Sequence, residues 1–306
     1  MKNFLTISAL FLAIGCTAPK KISPAVPENK DGRYSIKVQN QTLEFDPAIG
    51  GRITALKLDE VNFFTDNTVN PGNWGSTFWP SPQSNWGWPP LPELDNKPYT
   101  ATLVNNTVKM VSQKNPKTGL VITKEFSGDK KAGSFRLKYT LTNQADQAQK
   151  VAPWEVSRVR GNGISFYPTG QGEKTGGLVS STLDKNGITW FIYDAAKIPD
   201  RNPKLFADGA EGWFAQVNDG YIMVKKFPDM PLASKAPNEG EIEIYTSPAV
   251  PGKTYVEIEQ QGPYVELQPG ASTTWEMTWF LRKLPANIQA EAGNQALVDF
   301  ARKLAK

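Results

Sequence analysis

From Tyr34 to about residue 285, apolar and polar side chains alternate with period two in run after run, and this pattern commits the chain to sheets. YSIKVQ, TLEFDP, RITALKL, ATLVNNTVKMVS, GLVITKEFS and SFRLKYTLTN all read as strands bounded by Gly, Pro, Asn and Asp. WFAQVNDGYIMVKKF reads as a hairpin, with Trp213, Ala215 and Val217 on one arm, Tyr221 and Met223 on the other, and Asp219-Gly220 at the turn. ITWFIY, GEIEIYTSP, TYVEIEQQGPYVEL and STTWEMTWFLRKL continue the alternation. Helical spacing enters only at the end, where Ile288, Ala292, Leu297, Phe300, Ala301 and Leu304 recur on one face. The expectation is an all-β chain: one large antiparallel β-sandwich over 34–285, with an amphipathic helix over 286–306 docked on it.

The N-terminus follows a different logic. Lys2 precedes a short apolar run from Phe4 to Ile14, and Gly15 precedes Cys16, the single cysteine. The run is too short to span a bilayer and reads as a signal peptide over 1–15. LAIGC resembles the bacterial lipoprotein signal, which makes Cys16 the expected lipidation site and mature N-terminus. Thr17, where inner-membrane retention usually has Asp, favours the outer membrane, at its periplasmic or surface face. Residues 16–33 are rich in Pro and Lys and read as a flexible tether.

Composition excludes several chemistries. The chain has no histidine, so neither Ser-His-Asp catalysis nor a HExxH zinc site is available. Cys16 is the sole thiol, and no nucleotide-binding glycine motif is present, so no cofactor or metal is expected. A net charge of +4 from 34 basic and 30 acidic residues, without a basic stripe, argues against nucleic acid. Any acid–base work must run on carboxylates, Tyr, Lys or Arg.

Residues 73–90, NWGSTFWPSPQSNWGWPP, hold four of the nine tryptophans: Trp74, Trp79, Trp86 and Trp88. The interleaved prolines and glycines suit neither a helix nor a central strand. Indole faces held rigidly by neighbouring prolines lose little entropy on binding and pack well against the C–H faces of sugars. Gln83 and Asn85 between them are candidates for reading hydroxyls. One or two of the rings are expected to be buried and the others exposed.

PAIGGRITALKLDEVNFF resembles the opening of galactose-mutarotase-like proteins, and YTSPAVPGKTYVEIEQQGPYVELQPGASTTWEMTWFL resembles their closing third. The match runs over residues 34–283, and within that superfamily the tryptophan loop and APWEVSR resemble a bacterial lipoprotein family in particular. The resemblance implies a supersandwich of antiparallel sheets with a sugar-binding groove on one face. Mutarotases use a histidine acid and a glutamate base; Glu259 in EIEQQGP stands in the position of the base. The histidine has no counterpart here, and Trp154, Glu155 and Arg158 lie nearest its slot.

On alternation, Glu155 and Ser157 share one strand face, and Trp154, Val156 and Arg158 the other, unless Pro153 breaks the phase. Glu257, Glu259 and Gln261 form a polar row on a neighbouring strand. The candidate site therefore comprises Glu155 and Glu259 as a catalytic carboxylate pair. Trp74, Trp79, Trp86, Trp88, Gln83, Asn85, Trp154, Arg158 and Gln261 are its candidate sugar contacts. The expected function is a monomeric, carbohydrate-binding envelope lipoprotein that acts on a sugar through a histidine-free pair. A non-catalytic glycan-capture module, or a structural lipoprotein whose aromatic loop docks a protein, stays open beside it.

Overall fold

The computed structural model describes residues 23–306. Two antiparallel sheets carry almost all of it. The first has 11 strands. Its spatial order begins β1 (Pro27–Lys30), β2 (Arg33–Val38), β3 (Gln41–Asp46), β4 (Arg52–Leu58) and β6 (Ser76–Ser81). It continues through β11 (Gln149–Arg160), β19 (Tyr255–Gln261), β18 (Ile242–Thr246) and β15 (Lys204–Ala207). The short β5 (Val61–Asn62) pairs with β4, and β20 (Val265–Leu267) with β11.

The second sheet has 10 strands. One half runs β13 (Thr182–Lys185), β14 (Ile188–Ile192), β12 (Ile164–Pro168), β16 (Trp213–Asn218), β17 (Tyr221–Lys226) and β21 (Ser272–Lys283). The other half follows with β10 (Ser134–Asn143), β9 (Leu120–Asp129), β8 (Thr107–Val111) and β7 (Thr100–Val104).

The alternating residues explain how the two layers meet. Leu43, Phe45, Phe78, Ile258 and Ile244 of the first sheet face Phe126, Leu137, Tyr139 and Trp279 of the second in one core. Phe78 stacks on Tyr139 with ring centroids 4.2 Å apart, and Phe45 meets Phe126 edge-on at 5.1 Å. Each such fully buried aromatic contributes roughly 1.5–3 kcal/mol of transfer free energy. The hairpin at Asp219-Gly220 forms as its sequence dictates, with φ of 50° and 78° at the two turn residues.

Two boundaries differ from expectation. The expected tether over 16–33 does not reach Arg33, because Asn29–Arg33 (NKDGR) is itself a hairpin turn. Asp31 and Gly32 take φ of 51° and 84°, folding Pro27–Lys30 back onto Arg33–Ile36, and Ala25 is fully buried. The C-terminal helix is shorter than 286–306 and spans Gln295–Ala305. Gly293 at φ 82° and the Asn294 side chain, which accepts from the Ala296 amide at 3.0 Å, set its start. Ile288 and Ala292 still pack on the same outer cluster, where Leu297, Val298 and Ala301 meet Trp213 and Val224. Cys16 and the expected signal peptide lie outside the described residues.

Candidate functional site

The outer face of the 11-stranded sheet carries a groove whose floor is dictated by strand register. Trp79 on β6 lies opposite Trp154 on β11, which lies opposite Gln261 on β19. The next row is Thr77, Val156, Glu259 and Glu243. After it come Arg158, Glu257, Tyr245 and Lys204. Side chains two apart on each strand thus collect aromatic rings at one end of the groove and charges at the other.

The charges are tightly partnered. Lys204 Nζ is 2.6 Å from Glu243 Oε2 and 3.2 Å from Glu259 Oε2, and it stands 4.7 Å from the Trp154 ring centroid. Trp154 Nε1 donates to Glu259 Oε2 at 2.8 Å. Arg158 Nε donates to Glu257 Oε1 at 2.7 Å and Nη1 to Thr77 Oγ1 at 3.0 Å, with the guanidinium 5.1 Å from the Trp79 centroid. Burial raises the pKa of Glu243, against the pull of Lys204. Burial also raises that of Glu257, offset by Arg158 and reinforced by Glu259. For Lys204 burial opposes the charge, but Glu243 and Glu259 together outweigh it and hold the amine protonated.

Above this floor lies a cavity of about 330 Å³. Trp79, Trp88, Trp154, Tyr245 and Tyr255 supply its aromatic wall, and Asn73, Gln83, Asn202, Lys204 and Glu257 its polar groups. Asn73 Nδ2 donates to Tyr255 Oη at 3.2 Å. Trp79 and Trp154 are 4% and 2% exposed and present only part of their rings, whereas Trp88 at 57% stands free beside Trp79. Aromatic wall, amides and one carboxylate suit a small polyhydroxylated ligand.

The candidate residues divide. Trp79, Trp88, Trp154 and Gln83 line the cavity, and Arg158 lies beneath it. Trp86 is buried behind, its Nε1 donating to the Pro80 carbonyl at 2.7 Å. Gln261 is buried and donates to Glu243 Oε1 at 2.7 Å. Asn85 is exposed on the turn Gln83–Asn85 and is not among the cavity's lining residues. Trp74 points elsewhere, beneath the Arg52 guanidinium at 5.2 Å and into a different cavity.

The catalytic pairing of Glu155 with Glu259 is corrected. Glu155 faces the sandwich interior, where Lys225 Nζ of β17 donates to its Oε2 at 2.6 Å. Ser76 and Ser157 each donate to Oε1 at 2.5 Å, and Gln260 donates to the same carboxylate. Glu259, at odd spacing on the paired strand, faces the groove instead. Pro153 does not break the phase, so the alternation in PWEVSR already separated Glu155 from Trp154 and Arg158. Glu259 is itself fully buried under Trp154 and Lys204; the carboxylate that lines the cavity is Glu257.

Lys204, Glu243, Tyr245, Tyr255, Asn73 and Asn202 escaped the sequence reading. EIEIYT carried a signal for two of them, because Glu243 and Tyr245 form a polar row opposite Ile242 and Ile244. Lys204, on a four-residue edge strand between loops, carried none.

Among solved structures, the chain is similar to a putative aldose 1-epimerase from Klebsiella pneumoniae, at 13% identity and TM-score 0.58 over 90% of this chain and 84% of that one. It is similar to a galactose mutarotase-like protein from Lactobacillus casei at 12% identity and TM-score 0.59, over 82% of this chain and all 100% of that one. A TPR-domain containing protein from Parabacteroides distasonis aligns at 15% identity and TM-score 0.60 over 85% of this chain, which spans only 49% of that protein. Identities this low establish the fold alone. No curated protein matches the chain. Residues 82–282, more than half of the sequence, match the family described as a domain of unknown function, DUF4380. The chain therefore belongs to the DUF4380 family and builds it on a galactose-mutarotase-like β-sandwich.

Proposed function

We propose that this chain binds a carbohydrate in the cavity walled by Trp79, Trp88 and Trp154. The observation that carries the reading is the composition of that cavity: indole and phenol rings for C–H faces, with Asn73, Gln83, Asn202 and Glu257 for hydroxyls. The likeness of the fold to a putative aldose 1-epimerase and a galactose mutarotase-like protein points the same way. Trp88 is the ring that a ligand meets first. Tryptophan emission titrated with mono- and disaccharides tests the proposal: a blue shift or quenching that saturates is expected. Trp88→Ala weakens that binding by about tenfold, on the order of 1.4 kcal/mol, and leaves the melting temperature unchanged. A panel of sugars that leaves emission untouched removes the proposal.

Within this reading, Glu257 is the group placed to exchange a proton with a bound sugar, its pKa raised by burial beside Arg158. Glu257→Gln then abolishes any turnover seen by product analysis while retaining binding within a few-fold. Lipid on Cys16 anchors the domain in the bacterial envelope in the same proposal. Cys16→Ser shifts the protein from the membrane to the soluble fraction if that anchor exists, and an unchanged distribution rules the anchor out.

A further inference from the structure

A second cavity of about 1060 Å³ lies on the same outer face of the same sheet, over β1 to β5. Its parity is fixed by β3: Leu43 and Phe45 point into the core, so Glu44 and Asp46, which line this cavity, point outward as Trp79 and Trp154 do. The two cavities abut at one dipeptide, because Asn73 lines the first and Trp74 the second. Arg52 fastens this partition. Its Nη1 donates to the carbonyls of Gly72 and Trp74 at 3.0 and 3.4 Å, and its guanidinium lies 5.2 Å from the Trp74 centroid. Asp95 joins the two sides, accepting from Trp79 Nε1 at 2.7 Å and from Arg52 Nη2 at 3.4 Å. A held indole thus stands in each cavity, within one hydrogen-bonded wall.

The span is informative. From β19 beneath the first cavity to β3 beneath the second are four inter-strand steps, β19–β11–β6–β4–β3. At about 4.8 Å per step that is roughly 19 Å, a distance that several linked sugar residues bridge and one does not. The first cavity is at the small end of the ~300–1,000 Å³ usual for small-molecule sites, and the second is three times its size.

The lining also states a charge preference. Lys30, Arg33 and Lys57 balance Asp31, Glu44 and Asp46 in the second cavity, and in the first Glu257 is paired with Arg158 and Lys204 with Glu243 and Glu259. Arg33 Nε pairs with Asp46 at 3.2 Å and Lys57 Nζ with Glu44 at 2.6 Å. Paired charges present donors and acceptors to hydroxyls without a net field to attract or repel an ion.

Building on the carbohydrate reading of the first cavity, we infer that the ligand is an oligosaccharide of uncharged sugars, running across the strands from Trp88 to a second subsite at Trp74. The test is calorimetry with ladders from one to six residues of α- and β-linked glucose, mannose, galactose and xylose, and one ladder of uronic acids. In the wild type, Kd falls at least tenfold from disaccharide to hexasaccharide on one uncharged ladder. Trp74→Ala removes that gain while the disaccharide Kd stays within twofold. Arg33→Ala, at a side chain 78% exposed and so safe for folding, reduces the gain in the same direction. Binding of short sugars with a Kd flat in chain length overturns this inference and leaves the carbohydrate reading standing. Equal weakening at all lengths by Trp74→Ala, or preference for the uronic ladder, also overturns it. Absence of binding at every length removes both.

Discussion

Lys124 is enclosed on β9, with Nζ donating to the Gly50 carbonyl at 2.7 Å and lying 5.2 Å from the Tyr99 ring centroid. Burial lowers its pKa to about 7, with only partial restoration by Asp95. A lysine whose folded pKa lies below its unfolded value of ~10.4 binds more protons in the unfolded chain throughout that interval. Stability therefore rises with pH from about 7 towards 10, by up to about 1.4 kcal/mol per pH unit, and is flat below the folded pKa. Urea midpoints at pH 7 and 9 are expected to separate in the wild type and to converge in Lys124→Met; parallel pH slopes in the two proteins would exclude the effect. The alternation in GLVITKEFS puts Lys124 on the core face with Ile122 and Phe126, but the pattern does not say which backbone carbonyl receives its amine. At the same scale Trp86 and Trp88 are two positions apart in the sequence, yet one is 9% and the other 57% exposed. A proline-rich turn has no fixed face, so which indole is free was decided by Trp79 and Trp154, against which Trp86 packs with centroids 6.0 and 6.4 Å away.

Secondary structure was legible wherever burial on one face imposed alternation. β10 and β9 show it most clearly, each pairing residue for residue over SFRLKYTLTN and LVITKEFSGD. Two interior strands escaped, β12 and β6: the prolines and glycines of 73–90 argued against a central strand, yet Ser76–Ser81 pairs with both β4 and β11, with Pro80 opposite Pro153. The other elements that escaped are short edge strands. β1, β13 and β15 have four residues each and too few apolar positions to define a period. β1 was nonetheless announced by Asp31-Gly32, a turn signal hidden inside a lysine- and proline-rich segment. The C-terminal helix was visible because its periodic residues have a single destination, the outer face of the 10-stranded sheet. Leu297 is fully buried there against Trp213 and Val224. Leu297→Ala should cost about 2–5 kcal/mol, the range for a buried leucine whose cavity cannot collapse. The loss would appear as a lower urea midpoint with sugar affinity unchanged below the transition, because the helix lies on the face away from the groove. Weakened affinity in that variant would mean that the helix supports the site directly.

Across the whole molecule, the groove depends on which distant segments become neighbours. Trp79, Trp154, Glu257, Tyr245 and Lys204 come from five strands, and the order β6–β11–β19–β18–β15 is a product of long-range pairing that local pattern does not encode. Local pattern separated Glu155 from Trp154 and Arg158, but only the pairing register, Glu155 opposite Gln260 and Val156 opposite Glu259, puts the two carboxylates on opposite faces. What Glu155 does instead is join the sheets. Its carboxylate on β11 meets Lys225 on β17 across the core, both fully buried, while Trp154 and Arg158 on the same strand hold the groove outside. Burial lowers the Lys225 pKa and Glu155 opposes that shift, so the lysine depends on its partner. Removing one member of such a pair strands the other charge in a low-dielectric interior and costs about 3–5 kcal/mol. Lys225→Met should show that loss in urea unfolding at pH 7. Adding Glu155→Gln should recover at least half of it, since the neutral amide leaves no charge uncompensated and its carbonyl still accepts from Ser76 and Ser157. If the double variant were no more stable than Lys225→Met alone, the penalty would lie in lost packing, and the buried charge would not be what holds β11 in place between core and groove.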